Sequence, residues 1–244
     1  MNEAAAAGEE ALARGAGGAM LYDASFLGQS AESVFDTTYW QAQGALETVP
    51  GGRGTVAFVR TARGQRWVLR HYRRGGLMAH IVDDLYLWRG EDRTRSFREW
   101  RLLRQLHAWG LPVPQPVAAR YRRVGLGYRA DLLTAELPVR RTLAQALQEG
   151  SLQPGAWRAV GRCVGELHRH GVQHADLNAH NLLLGDTQAV YVLDFDRGRI
   201  RARGAWEESV LARLRRSLLK VTAGLPGDRF GDGQWRALLT GVEG

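Results

Sequence analysis

Cysteine and lysine are almost missing from this 244-residue sequence. Cys163 stands alone, which excludes an intramolecular disulfide and a small disulfide-stapled fold, and which favours a reducing compartment. Apolar residues recur around it at helical spacing, so we expect Cys163 to be a small buried side chain rather than a nucleophile. The 33 basic residues are all arginine except Lys220.

Long apolar runs are also absent. No run reaches the roughly 18 residues of a membrane-spanning helix, and the first residues lack the basic start and apolar core of a secretory signal. Residues 1 to about 19 are rich in alanine and glycine and have little to bury. We therefore predict a disordered tail there, followed by one domain over residues 20–244 that stays on the cytoplasmic side of the membrane.

Acidic residues are outnumbered, with 25 against 33 basic ones and a formal net charge of +8. This excess predicts an anionic partner, which could be nucleic acid, a phosphorylated substrate or an anionic membrane surface. The arginines are scattered and no nucleic-acid motif appears, so a basic nucleic-acid-binding protein is the weaker alternative.

Hydrophobic periodicity predicts strands and one helix in the first part of the chain and mainly helices after Thr142. The predicted early strands are 55–59, 67–69, 117–121 and 128–137, the helix among them is 95–109, and the later elements include a small hairpin, 181–184 with 190–193, and a final amphipathic helix, 205–221. This order predicts an α+β fold with two lobes, a β-rich N-lobe over about 20–137 and a mainly helical C-lobe over about 138–244.

The strongest functional motif is His-Ala-Asp-Leu-Asn-Ala-His-Asn at 174–181, followed by Leu-Asp-Phe-Asp at 193–196. Asp176 and Asn181 have the spacing of the H-x-D-x-x-x-x-N catalytic loop of kinases, and Asp194 opens a D-F-x motif after a short hairpin. Phosphoryl transfer from ATP needs a carboxylate to accept the hydroxyl proton, here Asp176. It also needs oxygen ligands for Mg²⁺, here Asn181 and Asp194.

Other roles remain open for Asp194 and for the neighbours of these three residues. His174 is expected to brace the loop rather than to react. Asp194 could instead cap a turn, and Asp196 could contact a second metal or pair with Arg197 or Arg199. A pseudokinase scaffold is a further alternative, but the intact acidic and amide residues argue against it.

Upstream residues supply the remaining parts of a nucleotide site in the expected order. Gly52 and Gly54 belong to a glycine-rich turn between two strands, where backbone amides could approach phosphates. Arg70 ends the next strand, at the place where kinases carry a phosphate-binding lysine, and Glu99 lies on the following helix as its candidate partner. Taken singly, the turn could be a plain hairpin and both charges could be surface residues.

The chain resembles the 3-deoxy-D-manno-octulosonic acid (Kdo) kinases of Gram-negative bacteria, relatives of the lipopolysaccharide heptose kinases and the RIO-type kinases. The matching stretches are 51–54, 67–76, 95–99, 174–181 and 194–198, and the resemblance extends over about 34–220. The catalytic residues indicate kinase chemistry in general. The stretch Leu-Arg-His-Tyr-Arg-Arg-Gly-Gly at 69–76 points to this family.

The resemblance implies ATP- and Mg²⁺-dependent phosphorylation of the 4-hydroxyl of Kdo on the lipid A precursor, in lipopolysaccharide core biosynthesis. It implies a two-lobed protein-kinase-like fold, Asp176 as the base, Asn181 and Asp194 as metal ligands, and Arg70 and the glycine turn at the phosphates. Several protein-kinase features are missing: arginine replaces lysine at 70, Ala175 replaces an arginine, D-F-D replaces D-F-G, and A-P-E is absent. These departures favour a small-molecule or glycolipid acceptor, with heptose, an aminoglycoside or a protein as alternatives.

The implied acceptor is a lipid, so we expect a peripheral enzyme at the cytoplasmic face of the inner membrane. The stretch 197–203 carries four arginines, and the final helix places Arg213, Arg216 and Lys220 opposite an apolar face. These cations could meet anionic lipid, and each would contribute about 1 kcal/mol. The apolar face of the same helix is expected to pack on the C-lobe.

Overall fold

The structure, a computed structural model, describes residues 9–27, 32–51, 54–73, 84–153 and 155–244. Contacts divide these residues into two units, one within Met1–Ala108 plus Pro114–Glu136, the other formed by Trp109–Val113 and Leu137–Gly244. Strands dominate the first unit and helices the second, which confirms the predicted α+β class. No helix in the described ranges is long and apolar enough to cross a membrane.

The first unit is built on an antiparallel sheet with the order β1-β2-β7-β8-β5-β4-β3, and β6 pairs with β8. The strands are β1 Glu10–Gly15, β2 Gly18–Asp23, β3 Leu46–Gly51, β4 Gly54–Arg60, β5 Arg66–His71, β6 Tyr86–Leu87, β7 Pro116–Val124 and β8 Gly127–Ala135. The four predicted strands correspond to β4, β5, β7 and β8. Gly64 lies in the β4–β5 turn with φ of +80°, a conformation that favours glycine.

The prediction of a disordered tail over residues 1–19 is wrong for residues 10–19. β1 pairs along its length with β2, and β2 pairs in turn with β7. Met20 and Leu21 are fully buried, so this hairpin contributes to the core. The alanine-rich composition gives little hydrophobic signal for a strand. The strand forms nevertheless, because pairing with β2 satisfies the backbone N–H and C=O groups whatever the side chains are. Residues 1–8 lie outside the described ranges.

Helices cover both faces of this sheet. They are α1 Ala24–Leu27, α2 Thr37–Ala42 and α3 Arg95–Ala108, with 3₁₀ turns at Glu32–Phe35 and Glu91–Arg93. On one face Trp40 of α2 meets Trp67 of β5 edge to face, at 6.1 Å between ring centroids. α3 buries Phe97, Trp100 and Leu103, and its Ser96 hydroxyl donates to the β7 carbonyl of Arg120 at 2.9 Å.

The second unit combines short strands with four helices among its described residues. These elements are β9 Val139–Thr142, α4 Leu143–Glu149, α5 Ala156–Arg169, β10 Val172–Gln173, β11 Leu182–Gly185, β12 Val190–Val192, β13 Arg199–Ile200, α6 Trp206–Thr222 and α7 Asp232–Glu243. The predicted hairpin is β11–β12, which β9 extends on one edge. α6 buries Trp206, Val210, Leu214 and Leu218, so its predicted apolar face packs inward as expected.

The helices α5 and α7 approach each other closely through glycines. A Cβ at Gly161 of α5 would stand 2.0 Å from the carbonyl oxygen of Leu238, and one at Gly241 of α7 would stand 2.3 Å from that of Arg158. α5 also buries Cys163, and burial raises the pKa of its thiol to about 12, in agreement with a structural role.

Candidate active site

His174 braces the loop 174–181, which connects β10 to β11. Its Nε2 lies 2.8 Å from the Leu193 carbonyl, which can only accept, and its Nδ1 lies 3.3 Å from the backbone N–H of Asp176, which can only donate. The ring is therefore neutral with the proton on Nε2. Burial lowers its pKa, which stabilises this form, and the ring packs edge to face on Phe195 at 4.8 Å.

The backbone of Asp176 is fixed by two amide side chains from its own loop. Asn178 and Asn181 both donate from Nδ2 to the Asp176 carbonyl, at 2.8 and 3.2 Å. Since the amide nitrogen of Asn181 is used in this way, its oxygen is the atom that could bind a cation. The carboxylate of Asp176 is about one-third exposed, so an acceptor can reach it.

Asp194 follows β12 directly beside this loop. The preceding residue, Leu193, donates its N–H to the Asn181 carbonyl at 2.9 Å and accepts from His174. Asp194 has φ of +65°, a left-handed backbone conformation. Few residues other than glycine adopt it, and those that do are often found at functional sites. Within the second unit, the hydrogen bonds of Leu193 and of the Asn181 side chain thus bring the predicted residues Asp176, Asn181 and Asp194 close together.

Arg213 of α6 is a site residue that the sequence analysis missed. Its Nη2 donates to Oδ1 of Asp176. One helical turn later, the hydroxyl of Ser217 accepts from the backbone N–H of Ala179 at 3.1 Å, so α6 is attached to the loop at two points. The i, i+4 spacing could have suggested a shared face, but nothing in the sequence indicated that this face meets the loop.

In the first unit, the predicted pairing of Arg70 with Glu99 is present. Arg70 Nη2 donates to Oε2 of Glu99, whose side chain is 1% exposed. Tyr72 joins them, because its hydroxyl donates to the same Oε2 at 2.5 Å and accepts from Arg70 at 3.2 Å. Arg70 and Tyr72 share a face because side chains two residues apart in an extended chain point the same way. Sequence reasoning did not identify Tyr72.

The predicted phosphate-binding turn is only partly within the described residues. Gly54 begins β4 and pairs with Gly51 at the end of β3. Gly52 and the rest of the turn lie outside the described ranges, so the predicted contact of Gly52 and Gly54 with phosphates stays a prediction.

His71 belongs to a charged cluster on the other face of β5. Nδ1 lies 2.7 Å from Asp131 of β8 and Nε2 lies 3.3 Å from Asp84. Asp131 also accepts from the buried Arg120 of β7 at 3.0 Å. The hydrogen bond to Asp131 is the main reason that the pKa of His71 is raised. This cluster joins three neighbouring strands and thereby helps to hold Arg70 in register.

Comparison with known proteins finds similarity along most of the chain. The model of the lipopolysaccharide kinase (Kdo/WaaP) family matches residues 37–241. A protein of Stenotrophomonas maltophilia is 47% identical over 206 residues, 84% of this chain and 81% of its own length. Proteins of Xylella fastidiosa and Actinobacillus succinogenes are 43% and 40% identical, over 90% and 88% of this chain and 86% and 92% of their own lengths.

All three relatives are named 3-deoxy-D-manno-octulosonic acid kinase. A kinase family implies ATP as the phosphoryl donor. The loop of Asp176 and Asn181 in the second unit and the Arg70–Glu99 pair in the first unit are each of a kind that such chemistry uses. With the family model matching most of its length, this chain is a phosphotransferase that belongs to the lipopolysaccharide kinase (Kdo/WaaP) family.

Proposed function

We propose that this protein transfers the γ-phosphoryl group of ATP to the 4-hydroxyl of a Kdo residue on the lipid A precursor. The observation that carries the proposal is the loop 174–181, in which His174, Asn178 and Asn181 hold the backbone of Asp176 and leave its carboxylate accessible. The choice of Kdo as the acceptor rests on the names of the relatives, which are called Kdo kinases.

Asp176 acts as the general base. Its carboxylate accepts the proton of the acceptor hydroxyl while the hydroxyl oxygen forms a bond to the γ-phosphorus. The bond from that phosphorus to the bridging oxygen breaks and ADP leaves. A base held by three hydrogen-bonding side chains needs little reorganisation, and positioning of this kind is typically worth about 10²–10⁴-fold in rate.

The residues near the base fit Mg²⁺. Asn181 and Asp194 offer an amide oxygen and a carboxylate, the hard oxygen ligands that this ion prefers. Among the described residues no group of three or more His, Cys, Asp or Glu could hold a metal. Mg²⁺ needs only a few protein ligands, because water molecules and phosphate oxygens fill the rest of its coordination sphere. When bound, Mg²⁺ would neutralise charge on the phosphates of ATP.

Arg70 contacts the phosphates of ATP in place of the usual lysine. Glu99 and Tyr72 fix the guanidinium from one side, and about one-third of the Arg70 side chain is exposed and can meet a ligand. A guanidinium stays charged and can bind phosphate with two parallel hydrogen bonds, so the substitution preserves charge but changes geometry.

The enzyme acts as a peripheral protein at the cytoplasmic face of the inner membrane, because its acceptor is a lipid. The basic surface that the sequence suggested includes Arg216 and Lys220, which are exposed. Arg203 and Arg213 are exposed as well, but they pair with Glu207 and Asp176. Sedimentation with anionic vesicles should exceed that with neutral vesicles, should weaken with salt, and should fall in Arg216→Glu/Lys220→Glu. Equal binding to both lipids contradicts the electrostatic mechanism.

The acceptor is tested with labelled ATP and Mg²⁺. Label should enter a Kdo-bearing lipid A precursor and should not enter the same precursor without Kdo or a generic protein. Excess chelator should stop the reaction. Transfer to the Kdo-free precursor or to protein alone would contradict the proposed acceptor.

A further inference from the structure

The carboxylate of the candidate base already has a cationic partner. Arg213 Nη2 donates to Oδ1 of Asp176 across 37 residues of sequence. The Arg213 side chain is 47% exposed and that of Asp176 is 31% exposed, so both ends of the pair can meet a solute. This exposure distinguishes the pair from a buried structural ion pair, which a solute could not reach.

The position of α6, and with it that of Arg213, is fixed by contacts that do not involve the arginine. Leu214 and Leu218 anchor α6 in the core, and Ser217 binds the backbone of Ala179. Residues three and four positions away from Arg213 on α6 are Ser209, Val210, Arg216 and Ser217, none of which is acidic. Within the described residues, Asp176 is therefore the carboxylate that neutralises Arg213.

This pairing competes with catalysis. A general base must offer an oxygen to the acceptor hydroxyl, and the guanidinium occupies Oδ1, so only Oδ2 of Asp176 is left for the hydroxyl. If Arg213 moves away without another anion to bind, an arginine loses a charge-assisted hydrogen bond at a half-exposed site. An anionic group on the acceptor itself would resolve the conflict.

We propose that Arg213 is a specificity residue that binds the carboxylate of the acceptor sugar, taking that anion in exchange for Asp176. The inference rests on the proposed function. In a 3-deoxy-2-ulosonic acid, the carboxylate-bearing carbon of the ring and the 4-hydroxyl carbon are separated by a single methylene. A guanidinium that can touch the base is thus close to the carboxylate when the base touches the hydroxyl. Its planar fork matches a carboxylate with two hydrogen bonds.

The experiment compares two acceptors, the Kdo-bearing lipid A precursor and its analogue with the sugar carboxylate converted to a carboxamide. The wild type should prefer the carboxylate. Arg213→Ala should lose roughly 10- to 100-fold in kcat/KM on the carboxylate acceptor, the worth of hydrogen bonds to a charged group. On the carboxamide it should stay within about fivefold of the wild type, because no anion is there to bind. Arg213→Lys should restore part of the preference by its charge.

Arg215→Ala is the matched control, since Arg215 lies on the same helix and pairs with an exposed carboxylate, Asp232, away from the loop. It should keep the full preference. If Arg213→Ala retains the preference, or loses activity equally on both acceptors, the role in carboxylate binding is wrong while the proposed function stands. If the wild type phosphorylates neither acceptor, the proposed function fails and this inference fails with it.

Discussion

Single residues in this protein are held by partners distant in sequence. Glu99 binds Arg70 across 29 positions and His174 binds the Leu193 carbonyl across 19. The motif spacings predicted Asp176, Asn181, Asp194 and the Arg70–Glu99 pair. They did not reveal Tyr72 or Arg213, because a local pattern says which residues share a face but not which element that face will meet.

Asp176→Asn should lower kcat by about 10²–10⁴-fold, because the amide retains the shape of the carboxylate but cannot accept the proton. The affinity for ATP should change little, since the phosphates are assigned to other residues. Single-turnover phosphoryl transfer and a separate nucleotide-binding titration measure the two quantities. A turnover close to that of the wild type would remove Asp176 from the role of base.

Arg70→Ala should raise the KM for ATP or lower kcat, because the phosphates lose their cation. Tyr72→Phe is the informative comparison. It removes one hydrogen bond to Glu99 and keeps the arginine, so we expect a smaller loss, of the order of threefold to tenfold. Steady-state kinetics over a range of ATP concentrations separates the two. Wild-type kinetics in Arg70→Ala would contradict the assignment of this part of the first unit.

At the scale of elements, the strands and helices with strong periodicity were predictable, and those defined by pairing or packing were not. β4, β5, β7, β8, α3 and α6 each show an apolar pattern in the sequence. β1 has few apolar side chains and exists because it pairs with β2. α7 depends on contact with α5 through small residues, and glycines give no hydrophobic signal.

The α5–α7 contact can be tested with two alanines. Gly161→Ala should destabilise the protein by about 1–3 kcal/mol, because its Cβ would collide with the carbonyl of Leu238 and the helices would have to separate. Gly233→Ala, on α7 with no atom within 4 Å of the new Cβ, should be neutral or stabilising by up to about 1 kcal/mol. Urea unfolding measures both. Equal effects of the two changes would show that the close helix contact is not what sets the stability.

At the scale of the whole molecule, histidines in the two units respond to pH in opposite directions. The hydrogen bond to Asp131 raises the pKa of His71. The stabilisation of the folded state by His71 is therefore complete below about pH 6.5 and is lost as pH rises through the raised pKa. Burial lowers the pKa of His174 and of His168, so their contributions are present above about 6.5 and are lost as pH falls through the lowered values. The free energy of unfolding should therefore be greatest between the acidic range, where His174 and His168 become protonated, and the alkaline range, where His71 loses its proton.

Thermal unfolding between pH 5 and pH 9 checks this expectation. His71→Gln should flatten the alkaline side of the curve and leave the acidic side unchanged. His180→Gln, a change at an exposed residue of the loop 174–181, should leave the shape of both sides as in the wild type. An alkaline side that keeps its slope in His71→Gln would contradict the assignment of that slope to this histidine.

The near-absence of lysine has a consequence for how the enzyme can be detected. Reagents that deliver an acyl group from ATP to a nearby amine report on kinases through the lysine at the phosphates. In this sequence Arg70 stands where that lysine is expected, and Lys220 lies exposed on α6. Such a probe should leave the first unit unlabelled, and ATP should not protect whatever label Lys220 acquires. An arginine-directed dicarbonyl should instead inactivate the enzyme, and ATP should slow the loss. Activity-based surveys built on lysine chemistry would accordingly pass over this enzyme even in cells where it is abundant.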